Sequence, residues 1–116
     1  MTVMVAVPDS PEGRTALSAA IDETRRRDTD LVVLNLALDP LDVVGMPSDL
    51  PITVRERTGH ADLADCVLAA LDEYEGKVDL LVIGMKKRTP IGKVLLGSLS
   101  QRLLLEADVP VLAVKR

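Results

Sequence analysis

The feature that most constrains this chain is a repeated change of hydrophobic period. Short apolar runs rich in β-branched residues, Val3–Val7, Leu31–Ala37, Val78–Ile83 and Val109–Val114, recur along it. They show little polar alternation, which suits strands buried on both faces. Ile52–Arg57 differs. It alternates Ile52 and Val54 with Thr53 and Arg55, the period-2 pattern of an edge or half-exposed strand. Between the runs lie stretches with helical spacing. The first has Ser10 as N-cap, Pro11 at the first helical position and Glu12 at the positive end. Its stripe is Ala16, Leu17, Ala20 and Ile21, and Arg25, Arg26 and Arg27 suit its C-terminal end by dipole pairing and solvation. Asp62 opens the second, whose stripe is Leu63, Cys66, Val67, Ala70, Leu71 and Tyr74 before Gly76. The third begins near Gly97-Ser98, carries Leu99 and Leu103, and ends near Ala107.

The resulting order is β-α-β-loop-β-α-β-α-β. Alternation of this kind implies a parallel sheet with helices on its faces. Right-handed crossovers then give a five-stranded, doubly wound α/β fold of flavodoxin-like type. At 116 residues the chain forms one domain spanning 1–116. The connection Asp39–Pro51 holds Pro40, Pro47, Pro51 and Gly45 and reads as a loop. A parallel crossover needs about a dozen residues, so this one is possible but bare. One sheet face beside it is expected to lie exposed or to be covered by a partner.

Composition excludes several functions. No apolar run approaches the roughly 20 residues of a membrane span, and the first residues lack the basic start and cleavage site of a signal peptide. The single Cys66 rules out an internal disulfide and a multi-thiol zinc site, and suits the reducing cytoplasm. Helical position makes it a packing residue. Tyr74 is the one aromatic residue, so no base-stacking platform for single-stranded nucleic acid exists. The net charge of −4 also argues against nucleic acid. It conceals an asymmetry, because Gly84–Arg102 carries Lys86, Lys87, Arg88, Lys93 and Arg102 and no acid. A basic segment on an acidic chain suits either a small anionic ligand or a solvated loop.

In open parallel sheets, ligands bind beyond the carboxyl ends of the strands. Pro8-Asp9-Ser10, Leu38-Asp39 and Gly84 with the basic segment fall at that edge. The segment leads into the helix start at Gly97-Ser98, where free N–H groups attract phosphate and Ser98 can add a hydroxyl. Gly92-Lys93 lacks the spacing of a Walker loop, and no Gly-x-Gly-x-x-Gly follows the first strand. The acid cluster of a receiver domain is absent, because the third strand ends in Arg57-Thr58-Gly59. His60, the only histidine, reads as a helix-start group. No nucleophile elbow and no metal-ligand spacing occur.

Gly84-Met85-Lys86-Lys87, followed by Gly97-Ser98, resembles the nucleotide motif of the universal stress proteins, Gly-two-Gly-nine-Gly-Ser/Thr. Val78–Gly84, Leu95–Leu103, Val109–Val114, Val5–Glu12 and Arg57–Ala61 are similar to that family too. The resemblance implies a three-layer sandwich of the adenine-nucleotide-hydrolase-like kind, with the helix between the second and third strands lost or reduced. It implies a homodimeric stress-response protein paired through the last strand, Val109–Val114. It also implies ATP or a related ligand near Pro8, Asp9, Leu31, Gly84, Lys87, Lys93, Gly97, Ser98 and Leu99. Backbone cradling falls to Gly84, Gly97 and Leu99, and charge neutralisation to Lys87 and Lys93.

The chain departs from the family at three places. Lys87 stands where the motif has its second glycine, losing close backbone approach and offering a cation. The family's first-strand Asp aligns with Pro8, leaving Asp9 one place late. Leu31 matches an adenine-lining position but is equally a core residue by type. The third departure is the bare connection. The expected function is regulatory ligand binding without catalysis, because no general base is identifiable, and without a tightly bound metal. The alternatives are a nucleotide-free dimeric interaction module with an unknown protein partner and, with least support, a slow ATPase.

Overall fold

The computed structural model describes residues 1–42, 45–57, 62–85 and 97–115. The elements are β1 (Thr2–Val7), α1 (Pro11–Arg27), β2 (Asp30–Asn35), β3 (Ile52–Glu56), α2 (Leu63–Glu73), β4 (Val78–Met85), α3 (Ser98–Glu106) and β5 (Val111–Lys115). The five strands form one sheet in the order β3-β2-β1-β4-β5. Every neighbouring pair is parallel. The chain winds outward from β1 to β3, returns to β4, and continues to β5, so the winding reverses between β1 and β4.

The apolar runs are uninterrupted because both sheet faces are covered. Val3, Val5, Leu31, Val33, Leu80 and Val82 pack with Ala16 and Ala20 of α1. Met4, Ala6, Val32, Leu34, Leu81 and Ile83 pack with Ala64, Val67 and Ala70 of α2 and Leu103 of α3. Successive strand residues therefore enter opposite cores, as the period of two demands. Near the start of β4 the register shifts, from Thr2 opposite Val78 to Val3 opposite Leu80.

α1 starts as its residues dictate. Ser10 Oγ accepts a hydrogen bond from the Gly13 N–H at 3.2 Å, and Pro11 occupies the first turn. Asp28 closes the helix in the left-handed region at φ 52°. The buried line is Gly13, Ala16, Ala20 and Thr24, small residues that let the helix lie close to β1 and β4. Leu17 and Ile21 flank that line and are half-buried. Arg25, Arg26 and Arg27 are not merely solvated at the helix end. Arg25 pairs with Asp49 at 3.1 Å, Arg26 pairs with Glu23, and Arg27 reaches Glu23 and Asp79.

No helix lies between β2 and β3 among the described residues, as expected. The face beside that connection, expected to lie exposed or to be covered by a partner, is partly covered within the chain, with Ile52 and Val54 half-buried. Leu31 and Val33 are fully buried, and Leu41 packs with Ile52 and Val54 against the same core. Leu41 is the residue of the connection packed on that face among the described residues, and the Arg25–Asp49 pair ties the connection to α1. At the top of β2, fully buried Asn35 donates to the Asp39 carbonyl at 2.8 Å and to Glu56 Oε2 at 2.6 Å. Its Oδ1 accepts from the Ala37 N–H at 3.1 Å. One carboxamide thus holds the chain as it leaves the strand. Among the described residues no helix is long and apolar enough to cross a membrane.

Candidate functional site

A cavity of about 270 Å³ opens at the carboxyl ends of β1 and β4, where the winding reverses. Its apolar side is formed by Ala6, Ile83, Leu63, Leu99 and Leu103, and its polar side includes Ser10, Glu12, Ser98 and Ser100. Pro8, Gly84 and Gly97 complete the lining. This is the crevice in which doubly wound sheets take ligands.

Two helix starts meet there. α1 is internally capped by Ser10. α3 has Gly97 as N-cap, with φ −66° and ψ 161°, and no side-chain cap hydrogen bond among the described residues. The first N–H groups of a helix lack intrahelical acceptors, so an uncapped start facing a cavity suits an anion. Ser100 Oγ donates to the Gly84 carbonyl at 2.8 Å and anchors the start of α3 to the end of β4.

Gly84 carries a structural role beside any cradling role. A Cβ there would lie 2.3 Å from the Glu12 carbonyl oxygen and 2.9 Å from Glu12 Cβ. Only glycine lets β4 end beneath the first turn of α1. Gly13 meets the same constraint, since its Cβ would lie 2.1 Å from the Pro8 carbonyl oxygen. The cavity wall is therefore built from backbone in direct contact.

Of the residues expected at the site, Pro8, Gly84, Gly97, Ser98 and Leu99 line this cavity. Two do not. Asp9 is exposed and absent from the lining, so the acid displaced by one place does not turn back into the site. Leu31 is fully buried near the opposite end of the sheet, paired in register with Val3. It serves the core under α1. Lys87 and Lys93 lie outside the described residues, as do Gly59 and His60. Sequence reasoning missed Glu12 and Ser100 as cavity residues. Glu12 read only as a dipole partner, and Ser100 follows Ser98 with one helical turn's backbone between sheet and hydroxyl unseen.

The basic segment is also less basic than its composition suggests. Arg102 pairs with Asp62 at 3.0 Å, Asp65 at 2.5 Å and Glu106 at 2.6 Å. The hydrogen bonds it donates to Glu106 and then Asp65 raise its pKa further above the ordinary arginine range. Its charge joins α3 to the start of α2 and is compensated locally. Cys66 is half-buried against the α2-side core. No group of three or more potential metal ligands occurs among the described residues.

A model of the universal stress protein family matches residues 47–115. A universal stress protein of Mycolicibacterium smegmatis is 37% identical over 128 residues, covering 97% of this chain and 96% of that protein. Among solved structures, a universal stress protein from Archaeoglobus fulgidus aligns with TM-score 0.73 and 21% identity over 97% of both chains. Another from Archaeoglobus fulgidus, in complex with dAMP, aligns with TM-score 0.65 and 19% identity, covering 97% of this chain and 96% of that one. A universal stress protein in complex with cAMP aligns with TM-score 0.70 and 22% identity, covering 99% and 96%. The family model spans more than half of the chain and the Mycolicibacterium smegmatis protein matches nearly all of it, so this chain belongs to the universal stress protein family.

Proposed function

We propose that the chain is a regulatory protein that binds ATP or a related phosphate-bearing ligand in the cavity between β1, β4 and α3. The observation that carries this reading is the uncapped start of α3 opening into the cavity at the winding reversal. The dAMP and cAMP complexes of two related proteins support the ligand class. The phosphate sits at the N–H groups of Ser98, Leu99 and Ser100, with the Ser98 hydroxyl donating. Lys87 and Lys93 neutralise it. Glu12 on the α1 side disfavours a bare anion, so the hydroxyl-bearing sugar faces that end.

The test is thermal protection. A ligand at ten times its Kd stabilises a fold by about 1.4 kcal/mol, several degrees in Tm for a small domain. ATP, AMP and cAMP at millimolar concentration raise Tm, and Ser98→Ala combined with Lys87→Ala reduces the rise. An unchanged Tm with all three nucleotides overturns the reading.

The protein binds without turnover, because phosphoryl transfer needs a placed metal and an oriented nucleophile. Asp9, the acid expected nearest the site, stands outside the cavity. Phosphate release from ATP above a blank contradicts this. Copies pair through the β5 edge in the cytoplasm, and the dimer can recruit a protein partner. A nucleotide-free dimeric module is the second reading, favoured by Lys87 in the motif and by the position of Asp9. Mass spectrometry of ligand released from purified protein separates the two.

A further inference from the structure

We propose that the groove between the C-terminal ends of α2 and α3 is the docking site for the basic segment 86–96 of a second copy of this chain. The groove, about 490 Å³, lies at the amino end of the sheet, away from the cavity described above. Leu68, Leu71, Tyr74 and Val109 give it an apolar floor, and Asp72, Glu75, Glu106 and Asp108 ring it. Glu106 is paired with Arg102. Asp72, Glu75 and Asp108 make no ion pair among the described residues. Both helices present their negative ends here, and neither has a basic residue in its last turn. Among the lining residues the one cation is the Met1 ammonium.

An apolar floor ringed by carboxylates selects a partner that is both apolar and cationic. Segment 86–96 has that chemistry. It carries Lys86, Lys87, Arg88 and Lys93, no acid, and the apolar residues Ile91, Val94, Leu95 and Leu96. No other stretch of the chain combines four cations with so many apolar side chains and no acid.

The placement rests on the β5 pairing proposed above. Antiparallel pairing of β5 with its copy sets the carboxyl ends of one sheet beside the amino ends of the other. The segment leaves the carboxyl end of β4, the neighbour of β5. The groove takes in Val78 at the amino end of β4 and Pro110 just before β5. Three strand spacings separate the two β4 strands, about 14 Å. A segment of eleven residues anchored at both ends reaches about half of its ~36 Å extended length. Two equal contacts then form across the two-fold axis, as an isologous assembly requires. Lys87 and Lys93 cannot serve the phosphate and the partner's groove together. Nucleotide binding therefore weakens docking, and docking weakens nucleotide binding by the same factor.

Tyr74, the only aromatic residue of the chain, lies in the groove, with the Arg55 guanidinium 5.9 Å from its ring centre, and its emission reports on those surroundings. The experiment compares Tyr74 emission in the wild type with that of a variant carrying Lys86→Ala, Lys87→Ala, Arg88→Ala and Lys93→Ala. A synthetic peptide of residues 86–96, which has no aromatic residue, is then titrated into that variant. We expect the variant's emission to differ from wild type and the peptide to restore it saturably. Adding Asp72→Asn and Glu75→Gln, both at exposed positions, weakens the peptide about fivefold or more without lowering Tm. No saturable response at millimolar peptide overturns the proposal. So does an equal response in the Asp72→Asn, Glu75→Gln background, or to a scrambled peptide. Light scattering of the same samples reads the β5 pairing separately, so a dimer whose groove ignores the peptide sinks the docking alone.

Discussion

Two glycines and one asparagine carry much of the architecture at the residue scale. Gly84 and Gly13 are required by backbone contacts that no side-chain motion relieves. Gly84→Ala is expected to cost about 1–3 kcal/mol, the range for overpacking against fixed neighbours, measured by urea unfolding. That loss appears with or without nucleotide, which distinguishes a wall-building glycine from one needed only for ligand approach. Asn35 is satisfied by Asp39, Glu56 and Ala37. Asn35→Ala strands buried polar groups at the top of β2 and is expected to cost about 1–3 kcal/mol in the same measurement. Within the apolar run Leu31–Ala37, Asn35 was the polar signal, and its meaning depended on partners up to 21 residues away.

At the element scale, local chemistry and packing agree on where helices start and disagree on which face is innermost. Asp62 accepts from the N–H groups of Ala64 at 2.9 Å and Asp65 at 3.3 Å, and it also receives Arg102. Asp62→Ala is expected to destabilise the protein by about 0.5–2 kcal/mol, read as a lower urea midpoint with unchanged slope. The sequence stripe of α2 ran through Leu63, Cys66, Leu71 and Tyr74 as well as Val67 and Ala70. The fully buried line is Ala64, Val67 and Ala70. Small residues take the centre because they allow close approach, and the larger apolar ones spread to the flanks. β5 begins at Val111 rather than Val109, since the Leu81 N–H bonds the Pro110 carbonyl at 2.9 Å just before the ladder.

At the scale of the whole molecule, exposed ion pairs bind separate elements and set the acid sensitivity. The hydrogen bond from Arg55 holds the Glu73 carboxyl below the ordinary glutamate range, and that from Arg25 lowers Asp49. A depressed folded-state pKa contributes stability above the unfolded value, and this is lost as pH falls through the folded value. Tm is therefore expected to fall as pH drops below about 4.5. A Glu73→Gln, Asp49→Asn variant should show a shallower fall over that range. The difference should shrink at high salt, because both groups are at the surface. Circular dichroism melts at stepped pH and two salt concentrations check this.

The β5 edge belongs to the same scale. Val111, Leu112, Ala113 and Val114 are only half-buried, and an apolar edge strand invites pairing. Because Pro110 offers its carbonyl to β4, the alternation of a parallel ladder turns the Val111 N–H and carbonyl outward. Val111→Pro removes that outward donor and leaves the β4 ladder intact. Light scattering is expected to show wild-type dimer at tens of micromolar and a shift toward monomer in the variant. A wild-type monomer under those conditions contradicts the pairing.

Element type and order were legible in the sequence because both rest on local rules. Apolar period marked the strands, Ser10, Asp62 and Gly97-Ser98 marked the helix starts, and alternation with right-handed crossovers left one sheet topology. The motif from Gly84 to Ser98 was legible for the same reason, since its spacing is a property of the chain alone. Which of its neighbours face the cavity was decided only in three dimensions. Leu31 entered the core because it starts β2, at the end of the sheet remote from the site. Asp9 stayed outside because Ser10 turns back to cap α1. Glu12 and Ser100 entered because Gly84 lets α1, β4 and α3 meet with backbone in contact. Arg102 was neutralised by acids at the start of α2 and at its N-cap that lie 37 and 40 positions away in sequence. Hydrophobic period and capping act over a few residues and can be read along a chain, whereas burial and charge compensation depend on what packing brings together.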